Sequence, residues 1–218
     1  MIRCLNITFS TMKIIDCHTH HQREHSIINF THSKIDFKPS FAYSVGLHPW
    51  WIDNASDGLI SSLFNNIESN RNVMAIGECG IDRLIPTSLE LQKSVFSSHI
   101  ELSEYLQLPL IIHCTRAWQE IITMHRRCSA KQPWIIHGFR GKPSILHSLI
   151  SEGFYISSGE HYNEQSLLLT PKNLLLIETD ESALSIHDIA TKVALTLGIS
   201  ADDLLATIIA NTSGIFGK

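Results

Sequence analysis

The sequence is short of basic residues and has no long apolar run. Lys and Arg number 17 against 21 Asp and Glu, which gives a formal net charge of −4 at pH 7. We therefore expect no broad basic surface for nucleic acid backbone, although bound metals can supply the charge for a small phosphate site. No apolar run reaches the length of a membrane span, and Met1–Thr11 lacks the apolar core of a signal peptide. These absences predict a cytoplasmic protein that does not bind a membrane, with residues 1–11 as an N-terminal extension.

Paired cysteines of the C-x-x-C type are also absent. The number of cysteines is odd, and three of them lie in apolar runs typical of strands, so we expect buried free thiols rather than disulfides. The five cysteines are Cys4, Cys17, Cys79, Cys114 and Cys128. No repeat, linker or low-complexity segment divides the 218 residues. One domain spanning residues 1–218 is therefore expected.

Eight short apolar runs alternate with amphipathic stretches, a pattern that predicts a parallel sheet and, with eight strands, an α/β protein with a closed (β/α)8 barrel of the TIM type. The intervals after the first two strands are too short for full helices, so we expect the first helices to be reduced or missing. The predicted strands are Lys13–Cys17, Ser26–Phe30, Ala42–Leu47, Val73–Gly77, Leu110–His113, Trp134–His137, Phe154–Ser157 and Leu174–Glu178. The predicted helices are Ala55–Ser69, Leu89–Leu106, Trp118–Arg127, Lys142–Ser151, Ile186–Leu197 and Ala201–Phe216.

Ionisable residues of metal-ligand type recur at the carboxyl ends of these strands. One such residue alone is more often a hydrogen-bonded loop residue than a ligand, but coincidence accounts poorly for the same placement at several strands. The carboxyl ends form the rim on which barrel active sites are built, and imidazoles with carboxylates suit zinc, manganese or magnesium. The residues are His18, His20, His48, Glu78, His113, His137 and Asp180.

Eight motifs in one order carry a resemblance to a known family. They are Asp16–His20, Val45–Pro49, Ala75–Asp82, Leu108–His113, Ile136–Gly141, Gly153–Ser157, Glu178–Asp180, and Thr207–Asn211 with Ile215 and Phe216. In these motifs the chain resembles the TatD family of metal-dependent hydrolases, which are amidohydrolase-like barrels. The resemblance implies a distorted (β/α)8 barrel that hydrolyses phosphodiester bonds in DNA, often as a nuclease that trims strand ends.

The resemblance also implies roles for individual residues. One divalent ion would be bound by His18, His20 and Asp180, and a second by His113 and His137, with Glu78 bridging the two. Glu78 and Asp180 would be catalytic, and Asp180 could take a proton from the attacking water. The candidate substrate contacts are His48, Arg116 and Arg140, with support of a metal ligand as the alternative role for His48, and Asp82 is expected to orient a neighbouring side chain.

Three departures from the family pattern change the expected substrate wall. Arg140 stands where the family usually has Ser, and Thr115 where it often has Arg, with Arg116 one residue later. In place of a long loop after Asp180, the segment Glu181–Ala183 leads almost directly into a helix. All six ligands are kept, so the sequence supports metal binding more firmly than DNA as the substrate.

Three functions therefore stay open. The first is a deoxyribonuclease acting on DNA ends or short oligonucleotides; the second is a hydrolase of a small phosphoester, amide or ester; the third is a metal-binding scaffold without turnover. Barrels that hydrolyse amides often carry Lys where Glu78 stands, which disfavours an amide.

Trp50 and Trp51 either stack on bases or cover the barrel rim, and the second role is favoured for at least one of them. The strands left bare by missing helices are covered either by Thr31–Ser40 or by a second subunit, so a homo-oligomer is one of two alternatives.

Overall fold

Eight parallel strands close in chain order into a barrel, with β8 pairing to β1 between Ile177 and Asp16. The structure is a computed structural model, and it describes residues 13–30, 37–52, 63, 65, 67, 68 and 70–217. The predicted barrel is confirmed. Its strands are β1 Asp16–Thr19, β2 Ser26–Phe30, β3 Ala42–Val45, β4 Val73–Asp82, β5 Leu110–Thr115, β6 Trp134–Ile136, β7 Tyr155–Ser158 and β8 Leu175–Ile177.

The α-helices whose bounds are described follow β4 and surround the barrel. They are α1 Leu89–Leu106, α2 Trp118–Cys128, α3 Pro143–Ile150, α4 Glu164–Leu169, α5 Ile186–Leu197 and α6 Ala201–Phe216, with single 3-10 turns at Pro49–Trp51 and Lys172–Leu174. The short helix α4 was not predicted. Residues 63, 65, 67 and 68 are helical, and the rest of the predicted helix Ala55–Ser69 lies outside the described residues. The predicted extension at residues 1–11 lies outside them as well.

The side of the barrel around β2 has reduced helices, as predicted. The connection from β1 to β2 contains no helix, and neither does the described part of the connection from β2 to β3. Phe37 packs against Phe30 and Tyr43, with ring centroids 6.3 and 5.1 Å away. The described part of Thr31–Ser40 therefore folds back over these strands, and residues 31–36 lie outside the described residues.

Helix boundaries follow from local capping. Pro143 is the first residue of α3, where its missing N–H is tolerated. The Ser200 hydroxyl accepts a hydrogen bond from the N–H of Asp203 and starts α6. Ser185 and Asp188 form a capping box at the start of α5, so the connection after Asp180 is as short as predicted.

The barrel interior is filled by apolar side chains from its strands, joined by Ile14, Ile215 and Phe216. The four described cysteines are free, and Cys17 and Cys79 are buried as predicted. Burial was wrongly predicted for Cys128, which is exposed because it ends the polar last turn of α2. Among the described helices, none alone combines the length and apolar character of a membrane span; α5 and α6 do so only as a pair, bent by 108° at their break.

Candidate metal centre

A bulge in β4 places Glu78 at the centre of the site. Ile76 pairs with Leu110 and Cys79 with Ile112, so β4 carries one more residue than β5 between these pairs. Gly77 has φ +138°, and a Cβ there would lie 2.4 Å from the carbonyl oxygen of Ile111. Only glycine fits this position. The bulge leaves the Glu78 side chain almost fully buried among imidazoles from other strands.

One carboxylate oxygen of Glu78 faces the first strand. Its Oε2 lies 3.4 Å from the Nε2 atoms of both His18 and His20. The same two nitrogens lie 3.7 and 3.5 Å from Oδ1 of Asp180. Backbone hydrogen bonds fix this arrangement, since the N–H of Asp180 donates to the carbonyl of His18 at 2.9 Å and the N–H of His20 donates to that of Asp180 at 3.2 Å.

The other carboxylate oxygen faces β5 and β6. Oε1 of Glu78 lies 3.0 Å from Nδ1 of His113 and 2.7 Å from Nε2 of His137. Nε2 of His48 lies 3.2 Å from the same oxygen. The two oxygens of one carboxylate thus divide the predicted ligands into two sets.

The donor atoms of the first set fit a divalent cation, whereas His113 and His137 fall into separate candidate groups, each with Glu78. Ligand atoms of His18, His20 and Asp180 lie within 4.8 Å of one another, as do those of His18, Glu78 and His137. His18 is buried, and neither of its ring nitrogens has a hydrogen-bond partner. A buried nitrogen without a partner is costly unless something else takes its lone pair, and a metal ion does so. Imidazole and carboxylate are ligands that zinc and manganese accept.

The electrostatics keep the central carboxylate ionised. Burial opposes ionisation of Glu78, but the imidazoles of His137, His113 and His18 outweigh it and hold the pKa of that carboxyl well below its usual range. Glu178 is fully buried and lies 3.3 Å from Nδ1 of His137, which together with the charge of that ring lowers the pKa of Glu178 despite its burial. Ionised carboxylates are the form that binds cations.

Asn29 and His48 hold the Glu78 carboxylate in place from the strands that lack helices. Oδ1 of Asn29 accepts hydrogen bonds from the N–H of Glu78 at 2.7 Å and from the Ser44 hydroxyl at 3.2 Å, and its amide nitrogen donates to Oε2 at 3.4 Å. Nδ1 of His48 accepts from the N–H of Trp50 at 3.1 Å, so the proton of the neutral ring is on Nε2 and points at Oε1. Burial lowers the pKa of His48 and favours this neutral form.

Asp16 joins the first strand to the end of the last. Its carboxylate accepts hydrogen bonds from the Thr179 N–H at 3.0 Å, from the Thr179 hydroxyl at 2.6 Å and from the N–H of His18 at 3.4 Å. Burial raises the pKa of Asp16 to about 7. Sequence reasoning assigned no role to Asp16, Asn29 or Glu178. Asp16 and Glu178 lie within the motifs Asp16–His20 and Glu178–Asp180, whereas Asn29 is marked only as a polar residue inside an apolar run.

A cleft of about 790 Å³ opens from the second set of ligands. The predicted substrate contacts Arg116 and Arg140 line it, and the described lining residues do not include His48, which faces Glu78 instead. The other lining residues are Trp50, His113, Cys114, Thr115, Trp118, His137, Gly138, Gly141 and Asp180.

Asp82 and the two tryptophans lie at the edge of this centre. Oδ2 of Asp82 accepts a hydrogen bond from the indole N–H of Trp50 at 2.9 Å and lies 3.3 Å from Nε2 of His113. Asp82 therefore contacts both Trp50 and His113, and its orienting role stays a prediction. Trp50 is 62% exposed and Trp51 50% exposed, so neither indole is sealed against the rim.

Comparison with known proteins places the chain among relatives with this architecture. A profile of the family described as TatD related DNase matches residues 8–217. An uncharacterized metal-dependent hydrolase of Haemophilus influenzae is 31% identical over 159 residues, which cover 66% of this chain and 60% of the relative. A 3'-5' ssDNA/RNA exonuclease TatD of Erwinia amylovora is 29% identical over 208 residues, which cover 80% of this chain and 77% of the relative.

The chain spans less than two thirds of the length of the first of these relatives. Among solved structures, the TatD homologue YjjV of Escherichia coli K12 superimposes with a TM-score of 0.84 at 19% identity. The match covers 95% of this chain and 99% of that one, and it concerns the fold alone.

Proposed function

We propose that this chain, which belongs to the TatD-related DNase family, is a metal-dependent hydrolase. Its substrates in this proposal are phosphodiester bonds at DNA ends or in short oligonucleotides. The observation that carries the proposal is the shared carboxylate of Glu78. Its two oxygens face separate sets of imidazoles, with Asp180 beside one set and the cleft open beside the other. A metal site that only stabilises a scaffold does not need two sets of ligands around one carboxylate with a cleft beside them.

The chain's own residues divide the work as follows. His18, His20 and Asp180 would hold one divalent cation, His113 and His137 a second, and Glu78 would serve both. Two such cations, zinc, magnesium or manganese, polarise a phosphodiester and lower the pKa of a water molecule. Asp180, whose side chain is 30% exposed at the cleft, is placed to accept a proton from that water.

Arg116 and Arg140 supply the phosphate contacts. Both line the cleft, and guanidinium groups bind phosphate oxygens through paired N–H donors. Relatives from two Erwinia species and Salmonella typhimurium are named 3'-5' ssDNA/RNA exonuclease TatD, which supports single-stranded nucleic acid ends as the substrate class. DNA is the substrate we propose for this chain.

A small phosphoester is the second candidate. The connection between Asp180 and α5 is only a few residues long, so one wall of the cleft is low. The basic residues among the described lining of the cleft are Arg116 and Arg140, and two guanidinium groups can bind one or two phosphates. A panel of phosphomonoesters assayed beside DNA separates these candidates.

The proposal is tested with Asp180→Asn. We expect this variant to lose roughly 10²- to 10⁴-fold in turnover of a single-stranded oligonucleotide with added Mg²⁺ or Mn²⁺, because it removes a proton acceptor and a charged ligand. His18→Ala and Glu78→Ala should abolish turnover as well.

The matched control is Asp202→Asn, which makes the same chemical change at an exposed position on α6. It should keep wild-type turnover. Near wild-type hydrolysis by Asp180→Asn or Glu78→Ala at saturating metal would contradict the proposed ligand set.

A further inference from the structure

The indole of Trp50 is fixed in orientation by a buried carboxylate. Its ring N–H donates to Oδ2 of Asp82 at 2.9 Å, and the other oxygen of Asp82 accepts from the N–H of Leu84 at 2.8 Å. The backbone N–H of Trp50 donates to Nδ1 of His48 within the 3-10 turn. Both the backbone and the ring edge of Trp50 are therefore held, although the residue is 62% exposed.

The two described rings that contact Trp50 are not stacked parallel to it. The imidazoles of His48 and His113 stand at 89° and 71° to the indole plane, with centroids 5.0 and 6.3 Å away. The indole of Trp50 is held in orientation and lies largely open to solvent, so its ring surface is available to a ligand in the cleft. A flat aromatic partner gains the most from such a surface.

Trp50 lines the same cleft as the candidate metal centre and the two arginines. A nucleotide in that cleft can place its phosphate between Arg116 and the centre while its base lies against the indole. Base stacking on aromatic side chains is sequence-tolerant and suits unpaired bases, since a paired base is already stacked in its helix. A chain with net charge −4 has few basic groups for phosphate contacts, so base stacking would supply a larger share of its affinity for a nucleic acid.

We infer that Trp50 is a stacking subsite for one unpaired nucleobase, held by Asp82 beside the metal centre. This inference rests on the proposed function, because it names the part of the substrate that the cleft recognises in addition to phosphate. Asp82 is then a positioning residue for the indole. Trp51, the next residue, does not line the cleft among the described residues and serves as the natural control.

The test compares two single-stranded oligonucleotides of equal length, one with normal bases and one with abasic residues at both ends. For Trp50→Ala we expect kcat/KM on the normal oligonucleotide to fall about 5- to 150-fold, the range that stacking of one base carries. On the abasic-ended oligonucleotide the same variant should equal the wild type. Trp50→Phe should keep most of the activity, because it keeps a stacking ring, and Trp51→Ala should change neither rate.

Equilibrium binding separates failure of this subsite from failure of the proposed function. Titration calorimetry with a tetradeoxyadenylate and its abasic analogue in EDTA needs no turnover, and it should show a preference for the base-containing probe that Trp50→Ala removes. If the chain hydrolyses no nucleic acid, the proposed function fails, and this base preference still decides the subsite. Equal losses of Trp50→Ala on both oligonucleotides, or no loss on either, or no base preference in binding, would overturn the inference.

Discussion

At the scale of single residues, the position of one carboxylate depends on neighbours that are not ligands themselves. The N–H of Glu78 donates a hydrogen bond to Oδ1 of Asn29, and the amide nitrogen of Asn29 donates to Oε2 of Glu78. Nε2 of His48 contacts the other carboxylate oxygen, Oε1. Each contact satisfies a polar group that is buried and would otherwise cost free energy. The orientation of the Glu78 carboxylate is thus set from β2 and β3.

Asn29→Ala is expected to weaken metal binding as well as the fold. The variant removes the acceptor of the Glu78 N–H, a buried hydrogen bond whose loss costs about 1–3 kcal/mol in the free energy of unfolding. Loss of a partner that orients a ligand typically lowers metal affinity about 10- to 100-fold. Metal affinity is measured by competition with a chelator, and stability by urea unfolding.

The control is Asn211→Ala, which removes an amide that donates to the carbonyls of Lys172 and Leu175 on another part of the barrel. It should lose stability and keep its metal affinity. Equal metal affinity in both variants would show that Asn29 has no part in orienting Glu78.

The sequence could predict the ligand candidates but not the residues that support them. His18, Glu78, His113 and Asp180 follow apolar runs, and the position of a strand end in a barrel is enough to bring them together. Asn29 lies inside the apolar run Ser26–Phe30 of β2. Its partner Glu78 lies on β4, and the register of β2, β3 and β4 alone brings the two residues together. No local pattern specifies that partner.

At the scale of elements, β4 shows how a local rule gives way to strand pairing. The sequence predicts that β4 ends at Gly77, where the apolar run gives way to Glu78. The structure continues the strand to Asp82, with Gly80 at φ +140° and a Cβ there only 2.1 Å from the carbonyl oxygen of His113. These glycines permit a bulge and a close approach to β5, and only the position of β5 makes them necessary.

Helix α1 is joined to the end of β3 by a buried neutral histidine, which predicts acid sensitivity. Nε2 of His99 accepts from the N–H of Leu47 at 3.0 Å while Nδ1 donates to the carbonyl of Val95 at 2.8 Å, and burial lowers the pKa of His99 to about 4. The unfolded chain takes up this proton near pH 6.5 and the folded chain only near pH 4, so stability falls as the pH drops between these values. The expected loss is about 1.4 kcal/mol for each pH unit in this window.

The measurement is urea unfolding of the wild type and His99→Leu between pH 4.5 and 8. The variant should be less stable at pH 8, because the N–H of Leu47 loses its acceptor, and the difference should shrink as the pH falls. A difference that stays constant with pH would show that His99 does not titrate in this way.

At the scale of the whole molecule, the chain should prefer frayed or single-stranded ends to continuous duplex. Its net charge is −4, and the cleft holds Arg116 and Arg140 beside a short connection after Asp180. A duplex lying across this surface would need many more phosphate contacts. Initial rates on a single-stranded oligonucleotide should therefore exceed those on a blunt duplex at equal end concentrations, with a shallow dependence on salt.

A nicked circle offers internal sites and no free duplex ends, so it should be cut slowly. Efficient internal cutting of that circle, or a steep loss of rate with salt, would contradict this expectation. Either result would indicate an extended phosphate-binding surface.

The barrel as a whole could be predicted because eight apolar runs and their spacing are visible along the chain. Helices α1, α5 and α6 have the predicted boundaries, since Ser88, Ser185 and Ser200 cap them. The helix α4 is only six residues long, too short to show a helical period, and its cap on Asn163 gives no signal without that period. Shape and depth of the cleft depend on side chains from several connections and have no local signature.

Closure of the barrel also sets the order in which its centre can be assembled. Asp16 and Thr179 meet across 163 residues of chain, and until they do, His18 and His20 have no Asp180 beside them. Glu78, His113 and His137 come from three consecutive strands and can gather earlier. Folding can therefore bring one set of candidate ligands together before the other, and binding of both proposed cations would require that the first and last strands have joined.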